Sequence, residues 1–196
     1  MAMRNLPLEY RLAWSLDLRT NRRLLIGLNA AALIFFVPAA LLAGLLLCRL
    51  DPQAASSLAL FQPRGSVLLN VISYLLSTAL VILLHEIIHG LFFWRITGER
   101  PSFGIQTSYA FAAAPGWYIP RGPYLWIGIA PLVVITLIGL LLSPLLSFQV
   151  LYPVLFGLVL NAVGSLGDLY VVFRLLGKEG DLLVCDHGDK IEAFAR

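Results

Sequence analysis

Four long apolar runs constrain this chain more than any other feature. Residues 24–48, 67–95, 124–147 and 150–176 carry almost no charge. A bilayer core of about 30 Å takes about 20 helical residues, so each run is long enough to cross it. Hydrocarbon offers no hydrogen-bond partners, so such runs must satisfy their backbone as helices. The expected fold is therefore an all-α membrane protein with four transmembrane helices. It is expected to form a single integral membrane domain over 1–196 with a cytoplasmic tail at 177–196. Composition agrees: 59% of the residues are hydrophobic, 13% are charged, and the mean hydropathy is +0.85. That is too apolar for a soluble domain of this length. A hydrophilic opening over 1–23, followed by a long apolar run, favours a retained first span over a cleaved signal peptide.

Basic residues orient the spans. Arg4, Arg11, Arg19, Arg22 and Arg23 precede the first, and Arg95, Arg100 and Arg121 lie between the second and third. Arg174, Lys178, Lys190 and Arg196 lie at or beyond the end of the fourth, whereas Arg49 and Arg64 alone separate the first two. The positive-inside rule then puts both termini and the 96–123 loop in the cytoplasm. A bacterial inner (plasma) membrane is the expected location. The net charge of +3 calls for no nucleic-acid partner, because anchoring at the inner leaflet accounts for it. Cys48 and Cys185 fall on opposite sides in this topology and lack metal-ligand spacing.

Both ends of the chain have strand character. Apolar residues alternate at 6, 8, 10, 12, 14, 16 and 18, which favours a strand over an amphipathic surface helix. The tail has two short strand-like runs around His187-Gly188-Asp189, a hairpin turn. The two ends can pair into a small cytoplasmic sheet. Thr97-Gly98 and Pro101 end the second helix. The 102–120 segment is aromatic and nearly uncharged, with a turn at Pro115-Gly116. It reads as a hairpin or re-entrant loop dipping toward the membrane.

Chemistry enters in the second run, at "LLHEIIHG". His85 and His89 are four residues apart, so a helix sets them on one face about one turn apart. Both can offer an imidazole nitrogen to one metal ion, and Glu86 beside the first is placed as general base. The chain has three histidines, and two fall in this pattern. Ionisable groups in a membrane span are costly and point to function. A pair of hydrogen-bonded buried histidines would leave Glu86 unexplained. A structural zinc site would want four protein ligands, and no cysteine is near.

A catalytic zinc site usually takes three protein ligands and an open position. Asp168 is the candidate third ligand. It lies about 18 residues into the fourth run, as His85 does into the second, or about 27 Å of helix in each. Gly157, Asn161, Gly164 and Asp168 form one helical stripe, small enough for another helix to approach. Ser66, Asn70, Ser73 and Ser77 make a matching polar stripe on the second run. Asp168 could instead be a salt-bridged helix-end residue, and His187 is a rival ligand in a surface turn. Asn161 could bind substrate backbone or hold helices together. Tyr109, Tyr118 and Arg121 are further loop residues that could assist at an oxyanion.

Together, "HEIIHG", "YIPR" and "GSLGDLY" resemble the putative zincin peptidases, small multi-span proteins similar in layout to site-2 proteases. The resemblance covers roughly 66–176. In site-2 proteases the distal aspartate is followed by glycine; here Leu169 follows Asp168. The expected function is intramembrane zinc metalloproteolysis near the cytoplasmic face, with one zinc ion held by His85, His89 and Asp168. Glu86 would be the base, and Asn161 a substrate contact. The expected partners are a membrane protein or peptide substrate and the lipid bilayer. The alternative is a non-catalytic metal-binding membrane scaffold or regulator. Oligomeric state is open.

Overall fold

The structure is a computed structural model, and it describes residues 1–51, 66–106 and 109–196. Arg64 and the middle of the 102–120 segment, residues 107–108, lie outside the described residues. In chain order the elements are β1 (Arg11–Asp17), α1 (Arg22–Leu50), α2 (Val67–Thr97), β2 (Ser102–Ile105), β3 (Ala110–Ala113), β4 (Tyr118–Pro120), α3 (Arg121–Leu142), a 3-10 turn at Ser143–Leu145, α4 (Phe148–Gly164), α5 (Leu166–Leu176), β5 (Leu182–Asp186) and β6 (Lys190–Ala195). The architecture is mostly helical. Among the described residues, four stretches, Arg22–Leu50, Val67–Thr97, Arg121–Leu145 and Phe148–Leu176, are long and apolar enough to cross a membrane.

The chain forms two compact units, whose boundaries fall inside α1, α2 and α3 and at the start of α5. The helical unit comprises 29–85 and 132–166. Its core is Ala40, Leu47, Leu151, Tyr152, Leu155 and Val159, with Phe36 and Phe156 packed against it. Large apolar side chains such as Leu33, Leu68, Leu76 and Leu141 remain exposed. Small residues set the helix spacing in this unit. A Cβ on Gly157 of α4 would lie 2.7 Å from the Ser77 hydroxyl and 2.9 Å from a Val81 methyl on α2. Ser77 donates to the Pro153 carbonyl at 2.6 Å. The glycine stripe of α4 thus meets the serine stripe of α2 at this level, because neither side carries bulk there.

The sheet unit comprises 1–28, 86–131 and 167–196. Its four-stranded sheet has the order β1-β6-β5-β4. β1 pairs antiparallel with β6 from Arg11↔Ala195 to Asp17↔Lys190, with an irregularity between Leu12 and Trp14. β5 and β6 form the hairpin at His187–Asp189, where Gly188 has φ +93. The two ends of the chain do make a sheet, but they are not its only source. β4, from the segment before α3, pairs with β5 (Tyr118↔Cys185 to Pro120↔Leu183), and Met3 bridges to Tyr118 on its far side. β2 and β3 form a separate antiparallel hairpin, Ser102↔Ala113 to Ile105↔Ala110. Pro115-Gly116 makes the expected turn: Trp117 N–H donates to the Ala114 carbonyl, and Gly116 has φ +74. Proline at the second position and a positive-φ glycine at the third are the demands of a type II turn. The core of this unit gathers Leu16, Phe93, Ile119, Tyr124, Ile127, Val171, Leu175, Val184 and Ala193.

The 150–176 run is broken, where one continuous helix was expected. Ser165 separates α4 from α5, and both its N–H and its hydroxyl turn back to the Asn161 carbonyl, at 3.0 and 2.8 Å. Gly164 and Gly167 flank it, and glycine weakens a helix interior. The break places Asp168 in the first turn of α5.

Candidate metal centre

α2 is continuous through the His85–His89 segment, so helix geometry alone sets the two imidazoles one turn apart on one face. In the helical unit, His85 Nδ1 lies 3.1 Å from Asn161 Oδ1. The Asn161 amide nitrogen faces the Leu132 carbonyl and the Thr136 hydroxyl, both at 3.4 Å. A carbonyl can only accept, so the amide oxygen is the end presented to His85. His85 Nδ1 must then be the donor, so in the neutral ring the lone pair is on Nε2. Asn161 is 1% exposed.

In the sheet unit the same logic holds for His89. Its Nδ1 lies 2.9 Å from the backbone carbonyl of Ile127 on α3. That carbonyl accepts the Nδ1 proton, which leaves Nε2 to face the cleft. Nε2 faces an Asp168 carboxylate oxygen at 3.5 Å. Two electron-rich atoms held this close need a cation between them, either a proton or a metal. Ligand atoms on one tetrahedral zinc, with bonds of about 2.0–2.2 Å, lie about 3.3–3.6 Å apart. The observed separation matches that edge. Donor atoms of His85, His89 and Asp168 all lie within 4.8 Å of one another. The chemistry of the set also fits: two neutral imidazoles and one carboxylate are zinc's usual nitrogen and oxygen donors. Among the described residues, no other three such side chains gather in this way.

Glu86 is half-buried, next to His85 and one turn before Gly90. A Cβ on Gly90 would meet the Phe103 ring at 2.5 Å, so the β2–β3 hairpin seats on α2 just beyond the histidines. His187 lies in the β5–β6 turn, with Nε2 3.4 Å from Cys185 Sγ and 3.3 Å from a Glu192 carboxylate oxygen. Arg121 donates to the Lys178 carbonyl at 2.5 Å. Tyr118 packs edge-on against Phe194, and Tyr109 lies beside Phe111.

Two features near this centre went unread in the sequence. One is the Ile127 carbonyl, a backbone group with no signature. The other is the buried pair of Tyr124 and Asp186. The Tyr124 hydroxyl donates to Asp186 Oδ2 at 2.5 Å, and Gly188 N–H donates to Oδ1 at 2.7 Å. Burial pushes the Asp186 carboxyl above the usual carboxylate range, while Tyr124 and the Gly188 amide pull it down. An aspartate two residues before a glycine in a terminal hairpin looks like a turn residue, and only its burial marks it out.

Two imidazoles and a carboxylate gathered on apolar helices, with a glutamate beside the first imidazole, are the parts of a metallopeptidase. The chain belongs to the family of putative zincin peptidases, whose model matches residues 78–182, more than half of its length. The match contains His85, Glu86, His89 and Asp168 and ends before Asp186. Family membership implies zinc. No curated protein and no solved structure matches the chain.

Proposed function

We propose that this protein is an intramembrane zinc metalloprotease, similar in plan to the site-2 proteases, that cleaves membrane-associated substrates near the cytoplasmic face. The observation that carries the reading is the Nε2–Asp168 approach at 3.5 Å, with the His89 proton committed to Ile127. His85, His89 and Asp168 would hold the ion, and His85 and His89 would do so as neutral imidazoles. Bound zinc would supply an acidified water and polarise a carbonyl. Glu86 takes a proton from the attacking water and returns it to the leaving amine; such general catalysis is worth about 10²–10⁴-fold. Asn161 acts on His85 as a positioning residue. Its side-chain hydrogen bonds to His85, Leu132 and Thr136 and its near-complete burial favour this over the substrate contact that its sequence position suggested. The four apolar helices lie in the membrane with both termini cytoplasmic, in keeping with the basic residues of the sheet unit. A substrate helix must unwind before its amide is accessible. The β2–β3 hairpin offers an edge to which the unwound strand can add.

Glu86→Gln separates this reading from a metal-binding scaffold. The variant should keep one zinc per chain and lose cleavage of a membrane-embedded reporter. Zinc content of wild type beside His85→Ala, His89→Ala and Asp168→Ala tests the ligand set. A zinc-replete Asp168→Ala protein would remove the carboxylate from it.

A further inference from the structure

We propose that Asp186, in the C-terminal hairpin, is a positioning residue of the metal centre that acts on His89 through Tyr124 and α3; this rests on the metallopeptidase reading above. Both Asp186 oxygens are committed, one to the Tyr124 hydroxyl on α3 and one to the Gly188 amide. Tyr124 and Asp186 are 4% and 7% exposed. Burying a carboxyl group is costly, and a turn alone would be served as well by a neutral asparagine. The carboxyl group therefore answers to something beyond the turn, and what it faces is the Tyr124 hydroxyl.

Tyr124 stands one helical turn before Ile127, so the two share a face of α3. Ile127 presents its carbonyl to His89 Nδ1. The Tyr124 ring also meets Phe93 edge-on, with centroids 6.4 Å apart. Phe93 lies one turn beyond His89 on α2. The same stretch of α3 thus grips α2 at two successive turns, once by a hydrogen bond to the imidazole and once by aromatic packing. Asp186 ties that stretch to the sheet. The turn is held from its other side too: a Cβ on Gly188 would lie 2.2 Å from the Phe111 ring. A chain of contacts runs from the β5–β6 turn through Asp186, Tyr124 and the Ile127 carbonyl to the His89 ring. Partners that orient a ligating histidine in this way tune metal affinity by about 10–100-fold.

The test uses the purified full chain as wild type, Asp186→Asn, Tyr124→Phe and the double variant. Zinc affinity is measured against a competing chelator. The visible spectrum of the cobalt-loaded protein reports coordination geometry, and melting of the metal-free protein reports folding. Each single variant should bind zinc about 10–100-fold more weakly and shift the cobalt bands. The double variant should be no weaker than the weaker single, because the two residues act through one bond. Wild-type zinc affinity and cobalt bands in both single variants would overturn the proposal, even with a lowered melting temperature, since the pair would then be only a structural clasp. Tyr124→Phe removes a single oxygen and decides the matter if Asp186→Asn does not fold. A wild type that takes up no zinc overturns both this proposal and the metallopeptidase reading; a zinc-binding wild type with unaffected variants overturns this proposal alone.

Discussion

Asn161→Leu removes the orienting hydrogen bond on His85, together with the longer amide contacts to Leu132 and Thr136. The substitution nearly conserves volume but removes an acceptor held 3.1 Å from His85 Nδ1 in a site that is 1% exposed. A hydrogen bond contributes a net 0.5–1.5 kcal/mol on average, and leaving a buried donor unmatched costs about 1–3 kcal/mol. With its Nδ1 proton unanswered, the ring is free to rotate or to switch tautomer. Either event removes the Nε2 lone pair from the other donors. Loss of such a partner weakens metal binding by about 10–100-fold, or about 1.4–2.8 kcal/mol. Asn161→Asp retains an acceptor facing His85 and should stay within about tenfold of wild type. The assay is zinc competition with a chromophoric chelator in detergent, with thermal melting as the control for folding. An Asn161→Leu protein that folds and binds zinc as tightly as wild type would refute the view that Asn161 sets the His85 tautomer.

Gly157→Ala should lower stability by about 1–3 kcal/mol through overpacking, because its methyl would intrude on Ser77 and Val81; thermal unfolding in detergent measures this, and an unchanged melting point would mean that α2 and α4 are not in close contact. Gly188→Ala should cost about 2–4 kcal/mol, combining a strained positive φ with a collision against Phe111; the same measurement checks it, and Phe111→Ala in the same chain should relieve part of the loss. The Arg4 guanidinium holds the Glu99 carboxyl below its ordinary value. The ionised Arg4–Glu99 pair therefore contributes fully above the ordinary glutamate value of about 4.3 and is lost as pH falls through the depressed value. The protection factor of the Tyr118 amide, which bonds Met3 next to Arg4, should fall over that interval and stay flat above it once exchange is corrected for its intrinsic pH dependence.

Much of this protein is written in local pattern. The extents of α1 and α2 follow from apolar runs bounded by arginines, Gly98 and Pro101, since a long uncharged stretch has no alternative to a helix in an apolar setting. The turn at Pro115-Gly116 and the hairpin at Gly188 follow from residues that alone tolerate those dihedrals. The spacing of His85 and His89 needs only 3.6 residues per turn. Asp168 was legible because a carboxylate in an apolar run has few reasons to be there. The break at Ser165 was less so: two flanking glycines weaken the helix, but the hydroxyl that bonds back to Asn161 becomes decisive only when buried.

What the sequence determined by itself was the periodic and the expensive: apolar spans, glycine turns, and ionisable groups where hydrocarbon penalises them. Tertiary structure alone decided which backbone carbonyl receives the His89 proton, which end of the Asn161 amide meets His85, that β4 joins the terminal strands, and that Asp186 is buried against Tyr124. Those are pairings between distant positions. Any carbonyl can accept a proton and any aspartate can cap a turn, so local chemistry leaves many equivalent partners, and only packing selects one.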